Sequence, residues 1–285
     1  MICRICLVWM LSLAWGSVAA GALHVDVAWL AASDRSRVLP VDVRSPERFI
    51  EGHIPGAVNL PAEATWGDRA RGDLLPPVHR LQALIRAAGI DGSRTLVLYD
   101  EYPGLDVGRV FWLLELAGVP GVRYLAEGLA GWREAGQPLE RGAVKPEPSD
   151  FVVHLRESRY ASRLDAMLAS RGTGGVLLDA RPGAEFSGRK KVDAPRAGHI
   201  PGAINVPVRK AFVGEVDASP LKPPQALREL YALLPREDQV ITYCRRGRGA
   251  GLTYMLLRDL GYSVSVYAGS WFEWSRDLLL PVETQ

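Results

Sequence analysis

Short apolar runs and helical stripes alternate along this chain. Thr95-Leu-Val-Leu-Tyr99 and Val240-Ile-Thr-Tyr243 are rich in β-branched and aromatic residues and predict buried strands. Each leads through a glycine-containing loop into a helical pattern. Val110, Leu113, Leu114 and Ala117 share one helical face, with Gly118 as the stop. Leu252, Met255, Leu256 and Leu260 do the same, with Gly261 as the stop. A further strand follows each helix, Val122-Arg-Tyr-Leu125 and Val264-Ser-Val-Tyr267, and then glycine and tryptophan: Gly128 to Trp132, and Gly269 to Trp271 and Trp274. Strands alternating with helices predict an α/β fold in two domains, each a central, mostly parallel sheet flanked by helices.

The pattern is an internal repeat. Gly52-His-Ile-Pro-Gly-Ala-Val-Asn-Leu-Pro61 returns as Gly198-His-Ile-Pro-Gly-Ala-Ile-Asn-Val-Pro207. Upstream of each lies a strand-like run ending in Asp-x-Arg, Val38 to Arg44 and Val176 to Arg181. The second copy carries a polar, basic insertion at Gly188–Arg196, read as a surface loop that could border a site. Residues 23–140 and 151–285 are therefore expected to be domains, each burying its own core. Residues 141–150, with Pro146 and Pro148, are the expected linker.

Residues 1–22 stand apart. Arg4 precedes an apolar run from Ile5 to Trp15 and then small residues, the pattern of a secretory signal peptide; cleavage after Ala19, Ala20 or Ala22 fits equally. The run is too short for a comfortable membrane span, so no stable membrane insertion is expected after its removal. An exported location follows as an expectation, the periplasm if the source is a Gram-negative bacterium. The three cysteines then reduce to one in the mature chain, Cys244, because Cys3 and Cys6 leave with the signal. A lone cysteine is a buried small hydrophobe or a reactive thiol. A net charge of +2 gives no global pointer to nucleic acid or an anionic membrane. With no amphipathic dimer stripe, a monomer is expected.

Ligands of parallel α/β sheets bind at the carboxyl ends of strands. Asp100 and Cys244 hold that place in the two halves. Only Cys244 opens a loop suited to chemistry, Cys244-Arg245-Arg246-Gly247-Arg248-Gly249-Ala250. Gly247 and Gly249 permit a backbone nest of amides feeding a helix N-terminus, which binds anions and favours a thiolate. Arg245, Arg246 and Arg248 add three positive charges. A thiolate in such a field is a nucleophile for an anionic substrate. His53 and His199 occur in matching turns, only one of which shares its half with a cysteine, so a structural role is expected for both. Asp42, Asp179 and Arg44 are expected to hold loops.

The doubled Asp-x-Arg and Gly-His-Ile-Pro-Gly-Ala segments, Tyr243-Cys244-x-x-Gly247, and Tyr267-x-Gly-Ser-Trp271-x-Glu-Trp274 resemble the tandem-domain rhodaneses, the thiosulfate and mercaptopyruvate sulfurtransferases. The resemblance spans Leu23 to Glu283. It implies a persulfide formed on Cys244 from thiosulfate and passed to cyanide, a thiol or a protein acceptor, with no metal or organic cofactor. Basic residues at the second and third loop positions, here Arg245 and Arg246, go with thiosulfate; a Ser at the third goes with mercaptopyruvate. The fifth and sixth positions depart from the family's Val and Thr, being Arg248 and Gly249, and leave the acceptor open. Arg181 matches a family Arg that binds substrate or organises the site. The family's second Arg, four residues on, is replaced by Glu185. A cysteine phosphatase needs C-x5-R, and Ala250 stands where that Arg would be. A non-catalytic sulfur carrier or binding module is the alternative of a different class.

Overall fold

The computed structural model describes residues 22–68 and 74–284. All but Ala22 of the expected signal segment, and with it two of the three cysteines, lie outside the described residues. Among the described residues ten strands form two sheets. In the first half these are β1 (His24–Val25), β2 (Val38–Asp42), β3 (Val58–Asn59), β4 (Thr95–Tyr99) and β5 (Val122–Leu125). In the second they are β6 (Tyr160–Ala161), β7 (Val176–Asp179), β8 (Ile204–Asn205), β9 (Val240–Tyr243) and β10 (Val264–Tyr267). The strand orders β1-β5-β4-β2-β3 and β6-β10-β9-β7-β8 are the same order repeated, and every pair is parallel. Parallel pairing with buried faces explains why the central strands read as unbroken apolar runs.

The halves do not keep wholly separate cores. Each has a cluster of its own, around Phe49 and Trp132 in the first and around Trp271 and Trp274 in the second. The largest cluster runs through both. Its centre is the crossing of helices Leu105–Leu116 and Arg248–Asp259. Glycines allow the close approach: a Cβ on Gly108 would lie 2.3 Å from Leu252 Cα, and one on Gly251 would lie 2.9 Å from Arg109 Cα. The single apolar face expected for the Leu105 helix is thus a helix buried nearly all round, from Val107 to Leu114, between its own sheet and the other half.

Polar ties reinforce this contact. Glu115 of the first half accepts from Tyr254 and Arg258 of the second, and Asp259 of the second accepts from His24 and Tyr124 of the first. Residues 141–156 contain no helix or strand. They run along the first half, held by the Arg86 Nε donation to the Phe151 carbonyl (2.7 Å) and by the His154 amide on the Ala117 carbonyl (3.1 Å). Among the described residues no helix is long and apolar enough to cross a membrane.

One side-chain network occurs twice. Arg44 donates to Asp42 and to the Gly52 carbonyl, each at 2.6 Å; Arg181 donates to Asp179 at 2.6 Å and to the Gly198 carbonyl at 2.8 Å. Tyr99 OH accepts the Ile54 amide, and Tyr243 OH accepts the Ile200 amide. His53 stacks on Phe49 and bonds its carbonyl; His199 does so with Phe186. Apart from His53 Nε2, which has no hydrogen-bond partner among the described residues, these buried polar groups satisfy one another, and they pin each Gly-His-Ile-Pro-Gly turn against its sheet. Both histidines are scaffold, as their duplication predicts.

Candidate active site

Cys244 follows β9 directly and is a buried free thiol. Four features fix it. The Gly247 amide donates to Sγ at 3.1 Å. Gly247 has φ +89°, a left-handed conformation in which glycine carries no Cβ penalty, and it turns that amide back toward the sulfur. The carbonyls of Cys244 and Arg245 accept the amides of Trp271 and Phe272, each at 3.0 Å, so the loop backbone is clamped by the helix Ser270–Trp274. Finally, the Cys244 amide donates to Ser270 Oγ at 3.3 Å, and that hydroxyl donates onward to the Tyr267 carbonyl.

The sulfur lies beside the N-terminus of the twelve-residue helix Arg248–Asp259. The first-turn amides of a helix have no intrahelical acceptor and carry its positive end, so negative charge on sulfur is favoured there. Gly249 keeps this region open. A Cβ at 249 would sit 3.7 Å from Sγ and 3.3 Å from Val208. The departure from the family's Thr at this position therefore leaves space against the sulfur.

Cys244 faces a cavity of about 790 Å³, whose wall includes Arg181, Arg245, Arg246, Arg248 and Gly249. The sequence-predicted residues are thus brought together, but their charges are not free. Arg245 pairs with the buried Glu185, and Arg246 pairs with Asp193 of the 188–196 insertion while stacking on Phe272. Arg248 pairs with Asp106 at 2.6 Å and Asp217 at 3.1 Å. Burial opposes the charge of Arg248, yet Asp106 and Asp217 outweigh it and hold its pKa above the ordinary value. The bond from Arg246 is the main cause that draws the Asp193 carboxyl below its usual range. Arg181 keeps Nε and Nη2 on Asp179 and Gly198 and lies 4.5 Å over the Trp271 ring, as its duplicate Arg44 stays on Asp42. That geometry orders the loop; it does not reach into the cavity as a free cation.

The insertion at 188–196 is anchored. Arg196 donates to the carbonyls of Trp274, Ser275, Asp277 and Leu280, where the Ser270 helix ends. This holds Asp193 near Arg246 and places the insertion at the border of the site.

Four contributors carry no signal of their role in the motifs: Ser270, Asp106, Asp217 and Arg109. Ser270 is a non-glycine residue at φ +52°. Asp106 and Asp217 complete the partners of Arg248 from distant segments. Arg109, in the middle of the apolar Leu105 helix, is fully buried and donates to Thr65 and to the Leu74 carbonyl; its Nη1 lies 3.9 Å from where a Cβ of Gly247 would be. An arginine within the apolar stretch Val107–Leu114 was the available signal for it.

Two segments, residues 26–135 and 161–277, match the family model of the rhodanese-like domain. The chain belongs to the tandem-domain rhodanese family and is a sulfurtransferase. It is 34% identical over 255 residues to the thiosulfate sulfurtransferase of Azotobacter vinelandii, covering 85% of this chain and 90% of that one. It is 31% identical over 272 residues to the 3-mercaptopyruvate sulfurtransferase of Escherichia coli K12, covering 92% and 95%. Among solved structures, the crystal structure of SseA from Escherichia coli, described as a 3-mercaptopyruvate sulfotransferase of the rhodanese fold, aligns with a TM-score of 0.74 at 29% identity, over 88% of this chain and 99% of that one.

Proposed function

We propose that this sulfurtransferase takes the outer sulfur of thiosulfate onto Cys244 and delivers it to a thiophilic acceptor. The Cys244 thiolate attacks the outer sulfur. The sulfur–sulfur bond of thiosulfate breaks, sulfite leaves with the bonding pair, and a persulfide remains. In the second step cyanide or a thiolate attacks the outer sulfur of that persulfide, and the Cys244 thiolate leaves. The observation that carries this reading is Cys244 Sγ, which accepts the Gly247 amide at 3.1 Å beside a helix N-terminus and faces an open cavity. The same amides that favour the thiolate favour the persulfide anion, so one set of donors serves both resting states. A volume of about 790 Å³ suits a small organic acceptor as well as a small anion.

A second donor, 3-mercaptopyruvate, has the name of the Escherichia coli relative in its favour. Arg246, turned to Asp193 and Phe272, stands where that class is expected to carry Ser, and this favours thiosulfate. The test is thiocyanate formation from thiosulfate and cyanide by the purified protein, beside Cys244→Ser and beside mercaptopyruvate as donor. Turnover that depends on Cys244 and is faster with thiosulfate is expected. Absence of Cys244-dependent turnover with thiosulfate would overturn the reading.

A further inference from the structure

A thiosulfate donor brings an oxyanion end as well as the sulfur it gives up. A cation is the natural partner for that end. Five arginines line the cavity: Arg181, Arg209, Arg245, Arg246 and Arg248. Four of them already hold carboxylates, namely Asp179, Glu185, Asp193, and Asp106 with Asp217. Taking a donor anion on any of these four means sharing or breaking an existing pair. For Arg181 and Arg245 the carboxylates left behind, Asp179 and Glu185, are buried, and an uncompensated buried charge is costly.

Arg209 differs. It is the second residue of the short 3₁₀ turn Val208–Ala211, which follows the short strand β8. Its side chain is exposed on the cavity wall. Among the described residues no carboxylate lies within ion-pair distance of it, and no acceptor takes a hydrogen bond from its guanidinium. Its neighbour Val208 abuts the cysteine loop, since the same Cβ at Gly249 that would touch Val208 at 3.3 Å would touch Sγ at 3.7 Å. Glu185 sharpens the point. It stands where the resemblance expects a second arginine, and it neutralises Arg245 as well. One positive charge is absent from the wall and another is cancelled.

Resting on the proposed thiosulfate reading, we infer that Arg209 is the residue that binds the oxyanion end of the donor, while the loop amides receive its outer sulfur. Arg209 thereby takes over the anion contact that Glu185 removes. Glu215 lines the same cavity, is exposed and has no cation within ion-pair distance among the described residues. Its carboxylate opposes an anion held there.

The experiment is calorimetric binding of thiosulfate to full-length protein carrying Cys244→Ser, which cannot react, at fixed ionic strength. Adding Arg209→Gln is expected to weaken binding about tenfold, the size of one lost charge-assisted contact at an exposed site. Arg209→Lys should recover most of that loss, and Glu215→Gln should tighten binding. Circular dichroism checks that each variant is folded. Binding unchanged by Arg209→Gln, or weakened more by Arg245→Gln than by Arg209→Gln, overturns the inference; so does failure of the Cys244→Ser protein to bind thiosulfate. The thiosulfate reading itself fails separately, by absence of Cys244-dependent thiocyanate formation in protein that retains Cys244.

Discussion

The two halves of this molecule share a sheet order, a helix following the central strand, and the Asp–Arg–Tyr–His network that locks the turn beside it. They differ at the end of the central strand. In the second half Cys244 occupies that place, and its sulfur receives a loop amide at the mouth of the Arg248 helix. In the first half the place belongs to Asp100, whose carboxylate accepts the Glu101 amide at 2.6 Å. The mouth of the Leu105 helix is also filled: Asp217 of the second half accepts the Leu105 amide at 2.8 Å and binds Arg248 as well. The anion-binding end that both halves inherit from the fold is therefore plugged by a resident carboxylate in one and left to a thiol in the other. The fold supplies the electrostatic seat, and chemistry depends on what occupies it.

The largest effect should come from exchanging occupants. Cys244→Ser is expected to lower thiocyanate formation more than about a thousandfold, since the proposed nucleophile is gone. Asp100→Cys in that background should restore nothing, because Asp217 still closes the mouth of the Leu105 helix. Any recovered turnover in this double variant breaks the comparison.

Next is the pH dependence of stability. Burial is the main cause that raises the Asp100 pKa from the ordinary 3.8 to about 6. The folded state therefore binds the proton more tightly than the unfolded chain. The stability this group contributes is present below the ordinary carboxylate value and is lost as pH rises through about 6. Asp100→Asn should flatten that decline and stabilise the protein at neutral pH by at most about 3 kcal/mol, read from denaturant midpoints at pH 4 and pH 7. A steeper decline in the variant would contradict the assignment.

A smaller effect is expected at the loop glycine. Gly247→Ala places a Cβ at φ +89°, which costs about 1–2 kcal/mol and turns the amide away from Sγ. Turnover should fall about tenfold, with a matching drop in Tm. Gly104 holds the corresponding helix start at φ −140°, where the obstacle to a Cβ is Asp217 Oδ1 at 2.3 Å. Gly104→Ala should therefore cost stability and, with Gly247 and Cys244 untouched, lower kcat far less than Gly247→Ala.

The smallest effect is at Ser270. It stands at φ +52°, where the first half has Gly128 at φ +62°. Ser270→Gly relieves backbone strain and loses a hydroxyl bonded to the Cys244 amide. The two effects are of similar size, about 1 kcal/mol each, so Tm should change little. A severalfold fall in kcat should remain, because the cysteine backbone loses a tether. A large change in Tm would show that the residue serves the fold alone.

Much of this was legible in the sequence. The doubled Gly-His-Ile-Pro-Gly-Ala segments gave the two-domain architecture, and the apolar runs from Val38, Thr95, Val122, Val176, Val240 and Val264 gave the six central strands. The four edge strands β1, β3, β6 and β8 are two residues each, too short to show any periodicity. Cys244 stood out as the one cysteine beyond the expected signal segment and as the start of a glycine- and arginine-rich loop, and Asp100 in the matching place marked its half as the reactive one. The state of its loop was not. Arg245, Arg246 and Arg248 read as three free charges, while Glu185, Asp193, Asp106 and Asp217, which hold them, lie far away in sequence. Pairings set by tertiary packing leave no local pattern. Arg209 escaped notice for the converse reason: an arginine in a short turn looks ordinary until the charges around it are seen to be paired.

In the proposed reaction, sulfur transfer runs through one occupant of one seat. Mass spectrometry of the protein after treatment with thiosulfate and removal of excess donor tests it most directly. One added sulfur atom is expected, carried by the peptide containing Cys244, lost on addition of cyanide, and absent from Cys244→Ser. An unmodified Cys244 peptide after thiosulfate, or a sulfur atom carried on any other residue, would contradict it.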